Sequence, residues 1–293
     1  MPNLKAIRKR IASTKSTQQI TRAMRMVAAA KLRRAQERIV AARPYAEKME
    51  EMTKNLAVRA GEDIKHPLLE SRDVKRVQLL IFTSSRGLCG AFNSNLIKTG
   101  EKLIKEITDS GQEISLTTVG RKGFDYFNKR KYGIREKYLN LGAGDDFNTA
   151  QIIARDMISG YTEKEFDRVV VVFSEFYSAM KQIPLTKELL PVSTGVGEDS
   201  ESAGELLSEY IFEPPAHTLL EKLLPQFVEV QIYRAVLDNL ASEFGARMTA
   251  MENATSNAEE MIRGLTLTFN KARQEAITRE LMDIVGGAEA QMK

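Results

Sequence analysis

From Gln226 to Gly286 apolar residues recur with the period of a helix. Steps of four and three mark a seam through Val230, Tyr233, Leu237, Leu240, Phe244, Arg247, Met251, Ala254, Ala258, Met261, Leu265, Thr268 and Ala272. A run of about sixty residues at ~1.5 Å rise per residue predicts a rod of roughly 90 Å, more than one compact domain can bury. The breaks at Gly245 and Gly264 cost ~1 kcal/mol each relative to Ala, so the helix is expected to run through them. It is expected to stop at Val285, where Gly286 and Gly287 can supply a left-handed cap.

The same stepping from Leu4 gives Ile7, Ile11, Thr14, Gln18, Thr21, Arg25, Ala28, Leu32, Ala35, Ile39, Ala42, Ala46, Met49, Thr53 and Leu56. The middle of this seam is polar, whereas a shifted register through Ile20, Ala23, Val27 and Ala30 is apolar there. The contact stripe is therefore expected to drift around the helix. The two termini are predicted to form an antiparallel two-helix coiled coil with small Ala residues at the contact. Pro44 removes a backbone donor and crowds the preceding turn, so a bend is expected there; Pro225 is expected to kink the entrance of the second rod.

Between the rods the texture changes. Val77 to Thr83 is a short apolar run of the kind covered on both faces of a sheet, followed by the loop Ser84 to Gly90 and a helix from Phe92 to Thr108. Glu113 to Val119 and Arg168 to Ser174 read as further strands, Lys122 to Lys131 and Phe147 to Ile158 as helices. This rhythm predicts an α/β domain with a mainly parallel sheet in three layers. Phe176 to Val192 can add antiparallel edge strands, with Pro184 admissible only at an edge. The predicted organisation is an N-terminal helix over 1–61, a Rossmann-like α/β domain over 62–212 containing a mobile Gly/Ser/acid-rich loop at 193–204, and a C-terminal helix over 213–293. Leu206 to Glu213 is read as a short strand.

Composition changes the picture in one respect. Hydrophobic content of 43% is ordinary for 293 residues, and no apolar run approaches the ~18 residues of a membrane span. The basic start merges into the heptads and is read as mature structure, not a transit signal; a single Cys fits a reducing compartment. The charge is uneven. Residues 1–43 hold twelve Lys and Arg against one acid, Glu37, in a chain of net charge +4. Such an arm suits a solvated helix face, a nucleic acid or an acidic protein partner. Aromatic residues for base stacking are lacking before Tyr45. Lys5, Arg8, Lys9 and Arg10 sit at the positive end of the helix dipole, where helix stability disfavours cations. That placement points outward, to an acidic protein partner.

The α/β region invites a search for chemistry. There is no G-x-x-x-x-G-K-[ST] loop, and Gly142 and Gly144 lack the third glycine of a dinucleotide fingerprint. Cys89 lies beside Arg86 on a strand-to-helix loop, but His66 and His217, the only histidines, fall in apparent linkers, so it reads as a small buried thiol. One Cys and two His make no zinc set. No catalytic, cofactor-binding or metal-binding residue is assigned. A nucleotide-dependent enzyme would declare itself by ATP binding, and a nucleic-acid binder by salt-dependent DNA affinity.

Three stretches carry a family resemblance: Ile7 to Gln36 (IRKRIASTKSTQQITRAMRMVAAAKLRRAQ), Ser85 to Asn93 (SRGLCGAFN), and Ala246 to Ala290, which contains ARMTAMENATSNAEEMI and FNKARQEAITRELMDIVGGAEA. They resemble the gamma subunit of rotary F-type ATP synthase over nearly the whole chain. The resemblance implies a non-catalytic central shaft without cofactor, one copy turning inside three alpha and three beta subunits. It also implies contact with epsilon and a membrane rotor ring, at the cytoplasmic face of a bacterial inner membrane and not on nucleic acid. Met24 resembles the residue facing an acidic loop of beta, with Arg25 adding a charge there; Arg273 and Gln274 resemble a pair engaging a beta catch loop. Tyr210 and Glu213 resemble rotor-ring contacts, although Phe212 replaces a common Tyr. The small polar residues Thr249, Asn253, Thr255, Ser256 and Asn257 suit sliding contact or simple solvent exposure. The chloroplast branch carries an inserted redox segment with two cysteines; it is lacking here, so thiol control of that kind is not expected.

Overall fold

The computed structural model describes residues 4–60, 66–139, 141–142, 144, 146–193 and 216–291. In order these form α1 (Leu4–Ala60), β1 (Arg76–Phe82), α2 (Phe92–Asp109), β2 (Glu113–Val119), α3 (Arg121–Lys129), β3 (Ile134–Tyr138), α4 (Asp146–Thr162), β4 (Arg168–Phe176), β5 (Gln182–Leu190) and α5 (Ala216–Gln291). They group into two compact units, Met1–Ala28 with Met248–Lys293, and Ala29–Arg247. Expectations for 194–215, including the loop at 193–204 beyond its first residue and the strand at Leu206 to Glu213, lie outside the described residues.

The first unit is an antiparallel pair of helices. Cross-helix partners climb along α5 as they descend along α1: Arg25 meets Glu252, Thr21 meets Thr255, Thr14 meets Met261 and Arg8 lies over Phe269. The seam does not drift. Ile7, Thr21 and Ala28 are buried, while Ile20 and Val27, of the shifted register, are each 57% exposed. The reason is local satisfaction of the polar layer. Thr21 and Thr255 hydroxyls lie 2.8 Å apart, so one donates to the other, and the acceptor keeps its own proton for a carbonyl of its helix, Gln18 O for Thr21 or Met251 O for Thr255. Once hydrogen-bonded, these groups can be buried at little cost, so the straight seam prevails over the apolar alternative.

The second unit holds a five-stranded sheet of order β3-β2-β1-β4-β5. β1 pairs in parallel with β2 and β4, β2 in parallel with β3, and β4 antiparallel with β5. Alternation along β1 sends Val77, Leu79 and Ile81 to a layer with Leu96, Ile104 and Phe127 from α2 and α3. Leu80 and Phe82 face the opposite layer, with Ile153 and Met157 of α4 and Val228, Ile232 and Val236 of α5. This is the three-layer, mainly parallel arrangement expected. Pro184 lies in the edge strand β5 opposite Ser174, where its missing donor breaks no inner ladder. Gly120, at φ +96°, carries the chain from β2 into α3; a Cβ there would stand 2.2 Å from the Thr83 carbonyl oxygen, so only glycine fits.

Two local expectations are corrected, the end of α5 and the place of His217, and one strand went unread. Pro44 and Pro225 lie inside α1 and α5, and both helices run on through them. At Pro44 the helix surface is exposed and Val40, whose carbonyl loses its partner, is 65% exposed, so water can take that bond. α5 runs through Gly286 and Gly287 to Gln291; nothing lies within 4 Å of a Cβ at Gly287, so no tertiary contact imposes a cap and each glycine merely weakens the helix by ~1 kcal/mol. β3 went unread because, as an edge strand with only its two ends half-buried, it lacks an apolar run. His217 belongs to α5 and not to a linker.

Candidate functional site

In the first unit, Arg25 Nη1 holds Glu252 Oε1 at 2.9 Å. Both groups are substantially exposed, so this pair contributes at most ~1 kcal/mol and leaves Arg25 donors for another carboxylate. Met24 beside it is half-buried. Ile20 and Val27 are exposed one turn to either side of it, forming an apolar patch edged by a guanidinium. Sequence reasoning assigned Ile20 and Val27 to the internal contact and so missed this surface. The signal was present: they are apolar residues off the straight seam.

Arg273 and Gln274 are exposed on α5, and neither has a hydrogen-bond or ion-pair partner among the described residues. Ala272 beside them is half-buried on the seam side, and Ile277 and Leu281 are exposed one and two turns on. Glu252 and Arg273 are separated by roughly 30 Å of helix at ~1.5 Å per residue, so Met24/Arg25 and Arg273/Gln274 lie at two separate places on one helix pair. Of the small polar set, Asn253, Ser256 and Asn257 are exposed, whereas Thr255 belongs to the seam. Tyr210 and Glu213 lie outside the described residues.

The basic arm is partly used within each unit. Arg33 pairs with Glu37 and Arg38 with the buried Asp146 at 2.9 Å, while Arg8 and Lys31 lie over the rings of Phe269 and Phe244. In the first unit Arg10, Lys15 and Arg22 remain exposed, and in the second Arg34 does.

The Ser84 to Asn93 loop is tied down internally. Asn93 Oδ1 accepts from Ser84 N at 2.9 Å and Asn93 Nδ2 donates to Cys89 Sγ at 3.2 Å. Arg247, 9% exposed, donates to the carbonyls of Arg86 and Gly87 and pairs with Glu243 at 2.7 Å. Leu88, at φ 64°, is thereby left pointing outward and exposed, a second surface residue the sequence did not flag. Cys89 is buried, and burial pushes its thiol above the ordinary value, the wrong direction for a nucleophile. His66 is half-buried, its Nδ1 accepts from Leu68 N, and burial lowers its pKa. Among the described residues no group of three His, Cys, Asp or Glu could hold a metal ion, and no helix is long and apolar enough to cross a membrane.

The family model described as ATP synthase matches residues 3–291. The chain is 49% identical over 290 residues to the ATP synthase gamma chain of Trichlorobacter lovleyi, covering 99% of both chains. It is 48% identical over 293 residues to that of Heliobacterium modesticaldum, again covering 99% of both. Among solved structures, a chain of the central stalk and c-ring of the Tetrahymena thermophila mitochondrial ATP synthase superposes with a TM-score of 0.62 at 25% identity, covering 80% of this chain and 99% of that one. A chain from the Euglena gracilis mitochondrial ATP synthase shares the fold, with a TM-score of 0.70 at 22% identity over 98% and 94% of the two chains.

Proposed function

The chain belongs to the ATP synthase gamma-chain family, and from that premise we propose how it works as the central rotor shaft that couples ion-driven rotation to ATP synthesis or hydrolysis. It is a non-catalytic subunit of the complex. In this reading one copy turns within three alpha and three beta subunits, with epsilon and the membrane rotor ring at its other end, at the cytoplasmic face of a bacterial inner membrane. Tyr210 and Glu213 are proposed to meet the ring.

The observation that carries the mechanism is the exposed, unpartnered pair Arg273 and Gln274 on a helix whose other face is committed to the seam. A planar guanidinium can hold a carboxylate through two parallel bonds, and Gln offers a donor and an acceptor. Such contacts contribute roughly 1 to 3 kcal/mol each, enough to bias one shaft orientation and small enough to break during turnover. Adjacent helix residues point about 100° apart, so the pair addresses two groups on beta. Lower on the same unit, the apolar patch around Met24 with the Arg25 guanidinium suits an acidic loop carrying apolar residues. Torque passes because the two helices are joined by a packed seam with satisfied polar layers.

Arg273→Leu or Gln274→Leu, introduced into reconstituted complexes, should lower steady-state ATP hydrolysis severely while assembly with alpha and beta is retained. Normal assembly together with the unmodified hydrolysis rate in both variants would sink the latch. Met24→Lys and Arg25→Glu should change the number of ions pumped per ATP hydrolysed; an unchanged ratio in both removes the acidic-loop contact.

A further inference from the structure

The second unit contains a hollow of about 320 Å³ that the rotor mechanism does not use. It lies between the middle of α1, the first turn of α4, the end of β4 and α5. Its size falls at the lower end of small-molecule sites, about 300 Å³ and upward. Its walls are mostly apolar: Ile39, Phe176 and Leu237 line it together with Tyr45, Phe147 and Tyr233. Phe147 and Tyr233 meet edge to face at 5.1 Å, and Tyr45 and Phe147 are exposed, so the aromatic wall is reachable from solvent.

One charge is out of place in this lining. Asp238 is only 8% exposed, yet its one ion pair is a loose contact of 3.9 Å to Arg234. Arg234 is itself half-exposed and also borders an adjoining hollow of about 210 Å³ that shares Glu175 and Asp238. Asp238 also accepts a hydrogen bond from the Phe176 backbone and feels the Arg43 charge, but a buried carboxylate whose ion pair is distant and solvated is only partly compensated. Glu175, also in the wall, adds a second negative charge to the field at Asp238. The cations of the lining, Arg43 and Arg234, are exposed and can turn to water, whereas Asp238 cannot. The deep end of the hollow is therefore negative and the body apolar and aromatic, the combination that favours cation–π contact beside a charge-assisted bond.

We propose that this hollow is a binding site for a compact hydrophobic monocation, an arylalkylammonium or an amine of similar size, whose ammonium meets Asp238 and whose body lies on the aromatic wall. The lining holds three carboxylates, Glu47, Glu175 and Asp238, against the two exposed arginines, so an anion is disfavoured at Asp238 and a neutral ligand brings no charge to oppose it. Nothing in the proposal depends on the contacts with beta.

The test is calorimetric titration of the full chain with 2-phenylethylammonium, 2-phenylethanol and phenylacetate. The cation should bind saturably at one site, at least about ten-fold more tightly than either of the others. Asp238→Asn should weaken the cation by about ten-fold or more and leave 2-phenylethanol unchanged; Arg234→Gln, which removes the competing cation, should tighten it by about three-fold. Val230→Phe, which fills the hollow, should abolish binding of all three. No saturation by the cation up to about 10 mM, phenylacetate binding as tightly as the cation, or an unchanged affinity in Asp238→Asn would each overturn the site. Should Asp238→Asn fail to fold, unchanged cation affinity in both Arg234→Gln and Val230→Phe overturns it instead.

Discussion

The buried pair of Glu243 and Arg247 makes a demanding test of how α5 is fastened to the Ser84 to Asn93 loop. Arg247→Met keeps length and apolar bulk but removes four contacts at once: the bond to Glu243 at 2.7 Å, two to Gly87 O and one to Arg86 O. What remains is a carboxylate only 7% exposed, with Lys31 and Arg86 as more distant cations. Stripping one partner from a buried pair costs about 3 to 5 kcal/mol. Glu243 can escape by taking a proton, and at pH 7.5 an acid of ordinary pKa near 4.3 does so at about 1.4 kcal/mol per pH unit, a ceiling of about 4 kcal/mol. The three lost contacts to the Arg86 and Gly87 carbonyls add about 1 kcal/mol. Burial already pushes Glu243 upward against the opposing charge of Arg247, and the variant must push it further. An acid whose folded pKa lies above its unfolded one destabilises the fold when ionised, so stability falls as pH rises between the two values. The loss should thus be about 5 kcal/mol at pH 7.5 and about 3 kcal/mol at pH 5.5. Urea unfolding followed by circular dichroism at the two pH values measures it, and Arg247→Met with Glu243→Leu should restore most of the stability at pH 7.5. A loss under about 1 kcal/mol at pH 7.5, or an equal loss at both pH values, would refute the reasoning.

The seam register predicts that Val27→Lys changes the stability of the helix pair by no more than about 0.5 kcal/mol, whereas Ala28→Lys, at a position 2% exposed, costs several times that; thermal melts with the reverse order would restore the drifting seam. Gly120→Ala should cost about 3 kcal/mol or more, since strain at φ +96° is joined by a backbone clash with Thr83; a urea midpoint unchanged from the parent would remove that argument. Burial pushes Asp238 up to about 6, opposed by Arg234 and Arg43 and reinforced by Glu175. Its folded value exceeds the unfolded one, so the associated penalty is absent near pH 3, grows as pH rises to 6 and is constant above. Asp238→Asn should accordingly stabilise the fold by up to about 3 kcal/mol at pH 8 and by little near pH 3, and a pH-independent difference between the two proteins would contradict it.

Much of this was legible in the linear pattern. A heptad period sustained from Leu4 to Leu56 and again from Val230 to Ala272 dictates two long helices that must share their seams, because neither can leave an apolar stripe in water. The runs at Val77, Glu113 and Arg168 likewise dictate strands buried on both faces, and Pro184 announced an edge. What the period does not carry is the competition between registers. On α1 the shifted stripe through Ile20 and Val27 is more apolar than the true one, and only the meeting of Thr21 with Thr255, two residues remote in sequence, makes the polar layer the one that is buried. That choice is what leaves Ile20 and Val27 on the surface beside Met24. The strand Ile134–Tyr138 was similarly invisible, since an edge strand is defined by the β2 backbone beside it and not by its own side chains. Whether α5 stopped at Gly286 and Gly287 or ran on through them depended on whether a tertiary contact imposed a cap there. Side-chain chemistry needed the tertiary structure most: Asp238 follows the seam residue Leu237 and Arg247 comes three residues after Phe244 in an ordinary helix pattern, and only burial against β4 and the Ser84 to Asn93 loop gives the one a raised pKa and the other a clamp. Local sequence sets the period of each element, while the dielectric and the partners around each charge are set by chain segments that meet only after folding.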